Sequence, residues 1–253
     1  MQIIAISSFK GGTAKTSIAL HVGAALAKLH KKKVLLIDFD AQANLTTGLG
    51  FDPDENESLA PVLQGTQELK EVILKSHIPN LDLIPADTWL ERVEVTGVLA
   101  ADRYSHEKLR CILEPLSYDV VIIDTPPSLC WLTESALIAA HHTLVCATPE
   151  FYSVKGLERL SQFITNISQR HPLNVLGVIL SFWNARGKSN QAFLDVIERT
   201  FPDKAFKSKI RRDIAISEAA IYGKPVFDTD ADSRAGDDFK NLTKEILQRL
   251  KKN

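Results

Sequence analysis

Short apolar runs recur along the chain, each closed by a turn residue or a carboxylate. Ile3–Ile6 and Val34–Ile37 are unbroken, and Leu81–Ile84, Val120–Asp124, His141–Cys146 and Asn174–Leu180 are similar in length and rich in β-branched residues. Continuous apolar runs of this kind predict strands buried on both faces of a sheet. Helical spacing falls between them. It runs from Lys15 to Leu29, over Ser58–Leu63, Glu68–Leu74, Trp89–Leu99 and Tyr104–Leu116, and again from the stretch Glu150–Leu157. A last helix, from Arg234 to Lys251, sets Phe239, Leu242, Ile246, Leu247 and Leu250 on one face, as a helix packed on a sheet would. Buried strands alternating with helices describe an α/β fold.

Length and composition fit that fold and narrow little else. The 253 residues suffice for one large domain with a full core, and no linker, repeat or low-complexity tract divides them. The expectation is a single domain over residues 1–253. Hydrophobic residues make up 45% and charged ones 24%, with a net charge of −1, so the whole chain is not a polycation. No apolar stretch approaches the ~18 residues of a membrane span, and no basic segment precedes the first apolar run as in a signal peptide. A cytoplasmic location is expected. Cys111, Cys130 and Cys146 lie far apart without a C-x-x-C pair, which suits buried, reduced thiols. None of the seven histidines pairs with cysteines or carboxylates at metal-ligand spacing.

Chemistry concentrates first in Ser7-Ser8-Phe9-Lys10-Gly11-Gly12-Thr13-Ala14-Lys15-Thr16-Ser17, between the first strand and the first helix. A buried strand, a glycine-bearing turn and a helix N-terminus together form an anion cradle, because backbone N–H groups and the helix dipole point into the turn. In a phosphate loop Lys15 would reach the β- and γ-phosphates and the Thr16 hydroxyl would ligate Mg²⁺. The general pattern G-x-x-x-x-G-K-[ST] asks for glycine at positions 9 and 14. Phe9 and Ala14 stand there instead, while Gly11 and Gly12 fall inside the loop behind a second lysine, Lys10. A methyl group at Ala14 is expected to be compatible with nucleotide binding provided that its φ is negative.

Two further stretches place carboxylates at strand ends, where parallel α/β sheets bind ligands. Val34–Ile37 runs into Asp38-Phe39-Asp40-Ala41-Gln42-Ala43-Asn44. Val120–Ile123 ends in Asp124-Thr125-Pro126-Pro127 and describes a Walker B strand, with Asp124 holding magnesium through a water. A third observation concerns charge. Residues 186–212 carry eight basic and three acidic side chains in a chain whose net charge is −1. Arg186, Lys188, Arg211 and Arg212 are candidates for contact with a nucleic-acid phosphate backbone, without sequence reading.

The K-G-G-x-x-K-T-S loop resembles the deviant phosphate loop of the ParA/MinD class of ATPases. D-x-D-x-Q-x-N at Asp38–Asn44 is similar to that class's first switch and D-x-P-P at Asp124–Pro127 to its second. Ile210-Arg211-Arg212 through Ser217-Glu218-Ala219 to Gly223-Lys224-Pro225 resembles I-P-R-x-x-x-x-S-E-A…G-K-P of partition ATPases, with Arg211 in place of proline. As a set these resemble the ParA/Soj family of chromosome- and plasmid-partitioning ATPases, nearly end to end. The resemblance implies a doubly wound, mostly parallel sheet with helices on both faces. It implies ATP and Mg²⁺ as cofactors, held by Lys10, Gly11, Gly12, Thr13, Ala14, Lys15, Thr16 and Ser17. In that family Lys10 would cross to the partner's nucleotide, Asp40 would orient the attacking water, and Asp38 would support the loop or Mg²⁺-bound waters. Asn184, near a strand end, is a candidate for the adenine base. Glu150–Leu157 lies near the family's dimer face, or simply connects a strand to a helix.

The family's partners would be a second copy in an ATP-bound dimer, non-specific double-stranded DNA on the nucleoid, and a ParB-type protein that stimulates slow hydrolysis. The chain opens at the first strand without a helix-turn-helix extension, so sequence-specific operator binding is not expected. Two alternatives share the loop: a MinD-like membrane-associated ATPase, and a nucleotide-gated scaffold with negligible hydrolysis. The first would need a C-terminal amphipathic helix, of which Leu247–Asn253 is a poor version.

Overall fold

The computed structural model describes residues 1–95, 104–150, 153–187 and 190–252. In chain order the elements are β1 (Gln2–Ser7), α1 (Lys15–His30), β2 (Val34–Asp38), α2 (Asn44–Gly48), α3 (Ala60–Gln64), β3 (Leu74–Lys75), β4 (Leu81–Ile84), α4 (Trp89–Val95), α5 (Lys108–Leu113), β5 (Val120–Asp124), α6 (Trp131–Ala139), β6 (His142–Ala147), α7 (Ser153–Ser168), β7 (Asn174–Trp183), α8 (Asn190–Thr200), β8 (Ala205–Arg211), α9 (Ile214–Ile221), α10 (Val226–Thr229) and α11 (Arg234–Leu250). The strands form one eight-stranded sheet in the order β3-β4-β2-β5-β1-β6-β7-β8. Every neighbouring pair is parallel except β3 with β4.

The apolar runs of the sequence split between two faces, because successive side chains of a strand point to opposite sides. Ile3, Ala5, Leu35, Ile37, Val121 and Ile123 belong to one core, which Leu132 and Leu137 of α6 and Leu157, Leu160 and Ile164 of α7 complete. Ile4, Ile6, Leu36 and Ile122 belong to the other, with Ile18 and Leu26 of α1 and Phe239, Leu242 and Ile246 of α11. The sheet is thus doubly wound. Its chain reverses direction about β5 and β1: β1 leads across β5 to β2, while β5 leads across β1 to β6. The crevice beyond the C-terminal ends of these strands is where such a sheet takes a ligand.

Several expected elements take other forms. Tyr104–Leu116 is a 3-10 turn over Ser105–Glu107 followed by the shorter α5, and Glu68–Leu74 is a 3-10 turn over Leu69–Glu71 that runs into β3. Helix α4 follows the predicted Trp89–Leu99 as far as Val95, and residues 96–99 lie outside the described residues. Strand β7 continues past Leu180 to Trp183. Strand β8 has no counterpart in the apolar pattern. It buries Phe206 and Ile210 but carries Lys207, Lys209 and Arg211 along the outer edge of the sheet.

Candidate active site

The loop between β1 and α1 is built to leave donors unsatisfied. Helix α1 begins at Lys15 with no side-chain cap and no acidic residue in its first turn. Its leading N–H groups and dipole therefore face the loop without an internal anion. Gly12 turns the loop at φ +71°. Ala14, the N-cap, is also left-handed, at φ 63° and ψ 25°. The proviso of a negative φ at Ala14 is thus not met. The loop needs the left-handed conformation there, and an L-residue adopts it at a cost of about 1 kcal/mol.

Lys15 lies inside this loop, 6% exposed, and its Nζ donates to Ser8 Oγ at 3.1 Å. Ser8 Oγ in turn donates to the Lys10 carbonyl at 2.8 Å. Thr13 gives its carbonyl to Ser181 Oγ at 2.7 Å, so the end of β7 is fastened to the loop. Gly11 and Gly12 are exposed, and the Ser17 carbonyl accepts from the ring of His21 at 2.7 Å. The Lys10 side chain is half exposed and ion-paired with Glu150 of the same chain.

Beside the loop stand two buried carboxylates. Asp38 and Asp124 are register partners on β2 and β5. Asp38 Oδ2 accepts from Thr46 N and from Thr46 Oγ1, each at 2.8 Å, and Oδ1 accepts from Asp40 N at 3.3 Å. Asp124 Oδ2 accepts from Thr16 Oγ1 at 2.7 Å, whereas its buried Oδ1 has no partner among the described residues. Burial pushes Asp38 up to about 6, against the hydrogen bonds from Thr46. Burial, and then the charge of Asp38, push Asp124 up to about 8. A buried carboxylate oxygen without a donor, next to a threonine hydroxyl and a second carboxylate, is a hard-oxygen set that suits Mg²⁺. Asp40 is partly exposed and turns the chain into α2, its Oδ1 accepting from Gln42 N at 3.1 Å and its carbonyl from Ala43 N at 2.9 Å.

The other expected residues sit farther along the same edge. Asn184 lies just beyond β7, exposed. Its Oδ1 accepts from Arg186 N at 3.1 Å and its carbonyl from Asn190 Nδ2 at 2.8 Å, so its side-chain oxygen shapes this turn. Arg186 is exposed in the turn, and Lys188 lies outside the described residues. Trp183 pairs with Arg211 at the end of β8, which brings Arg212 near that turn. Arg212 is exposed, its guanidinium 5.0 Å from the centre of the Phe182 ring. Arg211 is engaged elsewhere: Nε and Nη2 donate to Asp238 at 3.0 and 2.7 Å. Ser8 lies within the loop stretch and Glu150 opens the stretch Glu150–Leu157, but their bonds to Lys15 and Lys10, and the places of Thr46 and Ser181 at the site, come from the structure alone.

The parallel sheet, the uncapped helix behind a lysine-bearing loop, and the carboxylate pair at adjacent strand ends define a P-loop nucleotide-binding protein. A family model described as an AAA domain matches residues 1–175. A ParA family protein of Chlamydia muridarum is 68% identical over 249 residues, 98% of each chain. The sporulation initiation inhibitor protein Soj of Bacillus subtilis is 34% identical, covering 97% of this chain and 98% of its own. The solved structure of the septum site-determining protein MinD of Pyrococcus horikoshii, complexed with Mg-ADP, superposes with a TM-score of 0.80 at 27% identity, covering 99% of this chain and 98% of that one. The chain belongs to the ParA family. It is an ATPase of the ParA/MinD type, with ATP and Mg²⁺ as its cofactors in general terms.

Proposed function

We propose that this ATPase partitions DNA: an ATP-bound dimer holds double-stranded DNA without reading its sequence, and slow hydrolysis, stimulated by a ParB-type partner, releases it. The observation that carries this reading is the basic edge at the ends of β7 and β8. There Arg186 and Arg212 stand exposed in a chain of net charge −1, beside a strand fastened to the phosphate loop through Ser181 and Thr13. Leu247 and Leu250 of α11 pack on the core, which favours DNA over a membrane as the surface acted on.

In this reading Lys15 and the N–H groups from Gly11 to Ser17 bind the phosphates. Thr16 and Asp124 hold Mg²⁺, which when bound offsets charge on the β- and γ-phosphates. Asp38, with both oxygens committed, keeps the Asp40 loop in place, and Asp40 orients water for in-line attack. Catalysis is then positioning plus electrostatics. In the free chain Lys10 is paired with Glu150. In the dimer it exchanges that surface pair, worth less than about 1 kcal/mol, for the phosphates of the other copy. Asn184 lies at the edge assigned to the base. Dimerisation doubles the basic patches, and affinity for a polyanion rises steeply with the phosphates neutralised.

The test is duplex-DNA binding by the purified chain with Mg-ATP, with Mg-ADP and without nucleotide, over a salt series. Binding that requires ATP, weakens with salt and drops in Arg186→Ala and Arg212→Ala is expected. Each variant removes one contact from each copy of the dimer and should lower the log–log salt slope by about 2. No binding in any nucleotide state overturns the reading.

A further inference from the structure

Behind the phosphate loop, on the side of α7, lies a cavity of about 130 Å³. Phe9, Lys10 and Thr13 of the loop form one wall, and the end of β6 and the first turns of α7 form the others. None of Lys15, Thr16, Asp38 and Asp124 lines it, so it is separate from the phosphate cradle. Protein interiors leave few voids larger than a water molecule. An apolar void of about 150 Å³ stays dry and takes up benzene or xenon.

The walls are apolar. The Phe9 ring packs on the backbone of Gly156, where a Cβ would lie 2.6 Å from it, and the Arg159 guanidinium stands 5.6 Å from the ring centre. Ala147 and Leu157, both buried, supply methyl groups. Cys146 adds a thiol that burial pushes up to about 12, so it stays uncharged. The hydroxyl-bearing residues are Thr13 and Thr148, and the Thr13 hydroxyl faces the Lys10 carbonyl of its own loop at 3.5 Å. Among the described residues around the cavity Lys10 is the exposed one and marks the mouth, with its ammonium paired to Glu150.

We propose that this cavity binds a small apolar molecule the size of one aromatic ring, and that the bound molecule raises the affinity of the loop for nucleotide. The coupling follows from the shared wall. Phe9, Lys10 and Thr13 flank Gly11 and Gly12, and Thr13 precedes the left-handed Ala14. A filled cavity favours the loop conformation that encloses it, and a loop in that conformation turns its backbone N–H groups toward a phosphate. Linkage makes the effect mutual, so nucleotide tightens the apolar ligand by the same factor. The proposal rests on the ATP site of the family and is independent of any contact with DNA.

The probe is benzene, titrated into the full chain carrying ¹³C-labelled alanine and leucine methyl groups. Saturable ring-current shifts at Ala147 and Leu157 are expected. A fluorescent ATP analogue should bind about fivefold tighter at saturating benzene. Ala147→Leu fills part of the cavity and should weaken benzene binding about tenfold and erase the gain in nucleotide affinity. Unchanged circular dichroism verifies its fold, and if that variant does not fold, the methyl shifts and nucleotide affinity of the wild-type chain decide by themselves. Any of four results overturns the proposal: no saturable shift at the two methyl groups, shifts of equal size across the rest of the core, equal benzene binding by the folded variant, or a nucleotide affinity that stays level or falls with benzene.

Discussion

Thr46 holds Asp38 by two hydrogen bonds of 2.8 Å, one from its amide and one from its hydroxyl, and the same hydroxyl accepts from Ala86 N at 3.0 Å. One buried side chain therefore ties the end of β2, the start of α2 and the chain leaving β4. Asp38 has no oxygen left without a donor, unlike Asp124. This division of labour suits one carboxylate that shapes a loop and another that takes a cation.

Thr46→Val removes the hydroxyl and strands the buried Ala86 amide, at a cost of about 1–3 kcal/mol. We expect a lower urea midpoint and a loss of ATP turnover larger than any loss of nucleotide affinity. Thr46→Ser should restore both. Equal stability for valine and serine would remove the assigned tie.

Asp124 gives a pH dependence of definite sign. Its pKa rises on folding from 3.8 to about 8, so the folded chain holds a proton that the unfolded chain releases. That stability is complete below pH 3.8 and is lost as pH rises through about 8. Without nucleotide, this contribution should lower the melting temperature from about pH 4 to about pH 8 and level off above that. Asp124→Asn keeps an acceptor for Thr16 and should flatten this fall. It should melt about 2–4 °C higher at the alkaline end for each kcal/mol recovered. It should also lose the Mg²⁺ dependence of nucleotide binding. Parallel melting curves for the two proteins would contradict the burial argument.

Ala14→Gly replaces a left-handed alanine with the residue that adopts this conformation freely. A gain of about 1 kcal/mol is expected, less the extra entropy that glycine brings to the unfolded chain. Chemical denaturation measures it, and a lower midpoint for the glycine variant would show that the loop is not strained there. Phosphate release measured alongside reports whether the methyl group slows turnover.

Lys15→Ala should abolish nucleotide binding, read by a fluorescent ATP analogue. Asp40→Ala should bind ATP with little change and lose most hydrolysis, remaining on DNA in Mg-ATP. Normal turnover by Asp40→Ala would refute its assignment to the attacking water.

What the sequence disclosed was local. The interior strands announced themselves as apolar runs because both their faces are buried, and the loop from Ser7 to Ser17 is contiguous. Strand β8 stayed hidden because an edge strand can point lysines outward, and only Phe206 and Ile210 kept the inward rhythm. The pairing of Lys10 with Glu150 joins positions 140 residues apart, and Arg211 is tied to a carboxylate 27 residues on. No spacing rule reaches that far. The left-handed angle at Ala14 was equally out of reach, since alanine does not advertise it.

The two rims of the sheet have a consequence for how copies of this chain meet. At one rim β3 is two residues long, too short to template another strand. At the other, β8 bears Lys207, Lys209 and Arg211, charges that oppose the docking of a like edge. Sheet extension, the route by which exposed strands run on into fibrils, is blunted on both sides. Any ordered assembly of this protein is left to side chains at the strand ends and on the helices, where it can be made and undone without disturbing the backbone ladder.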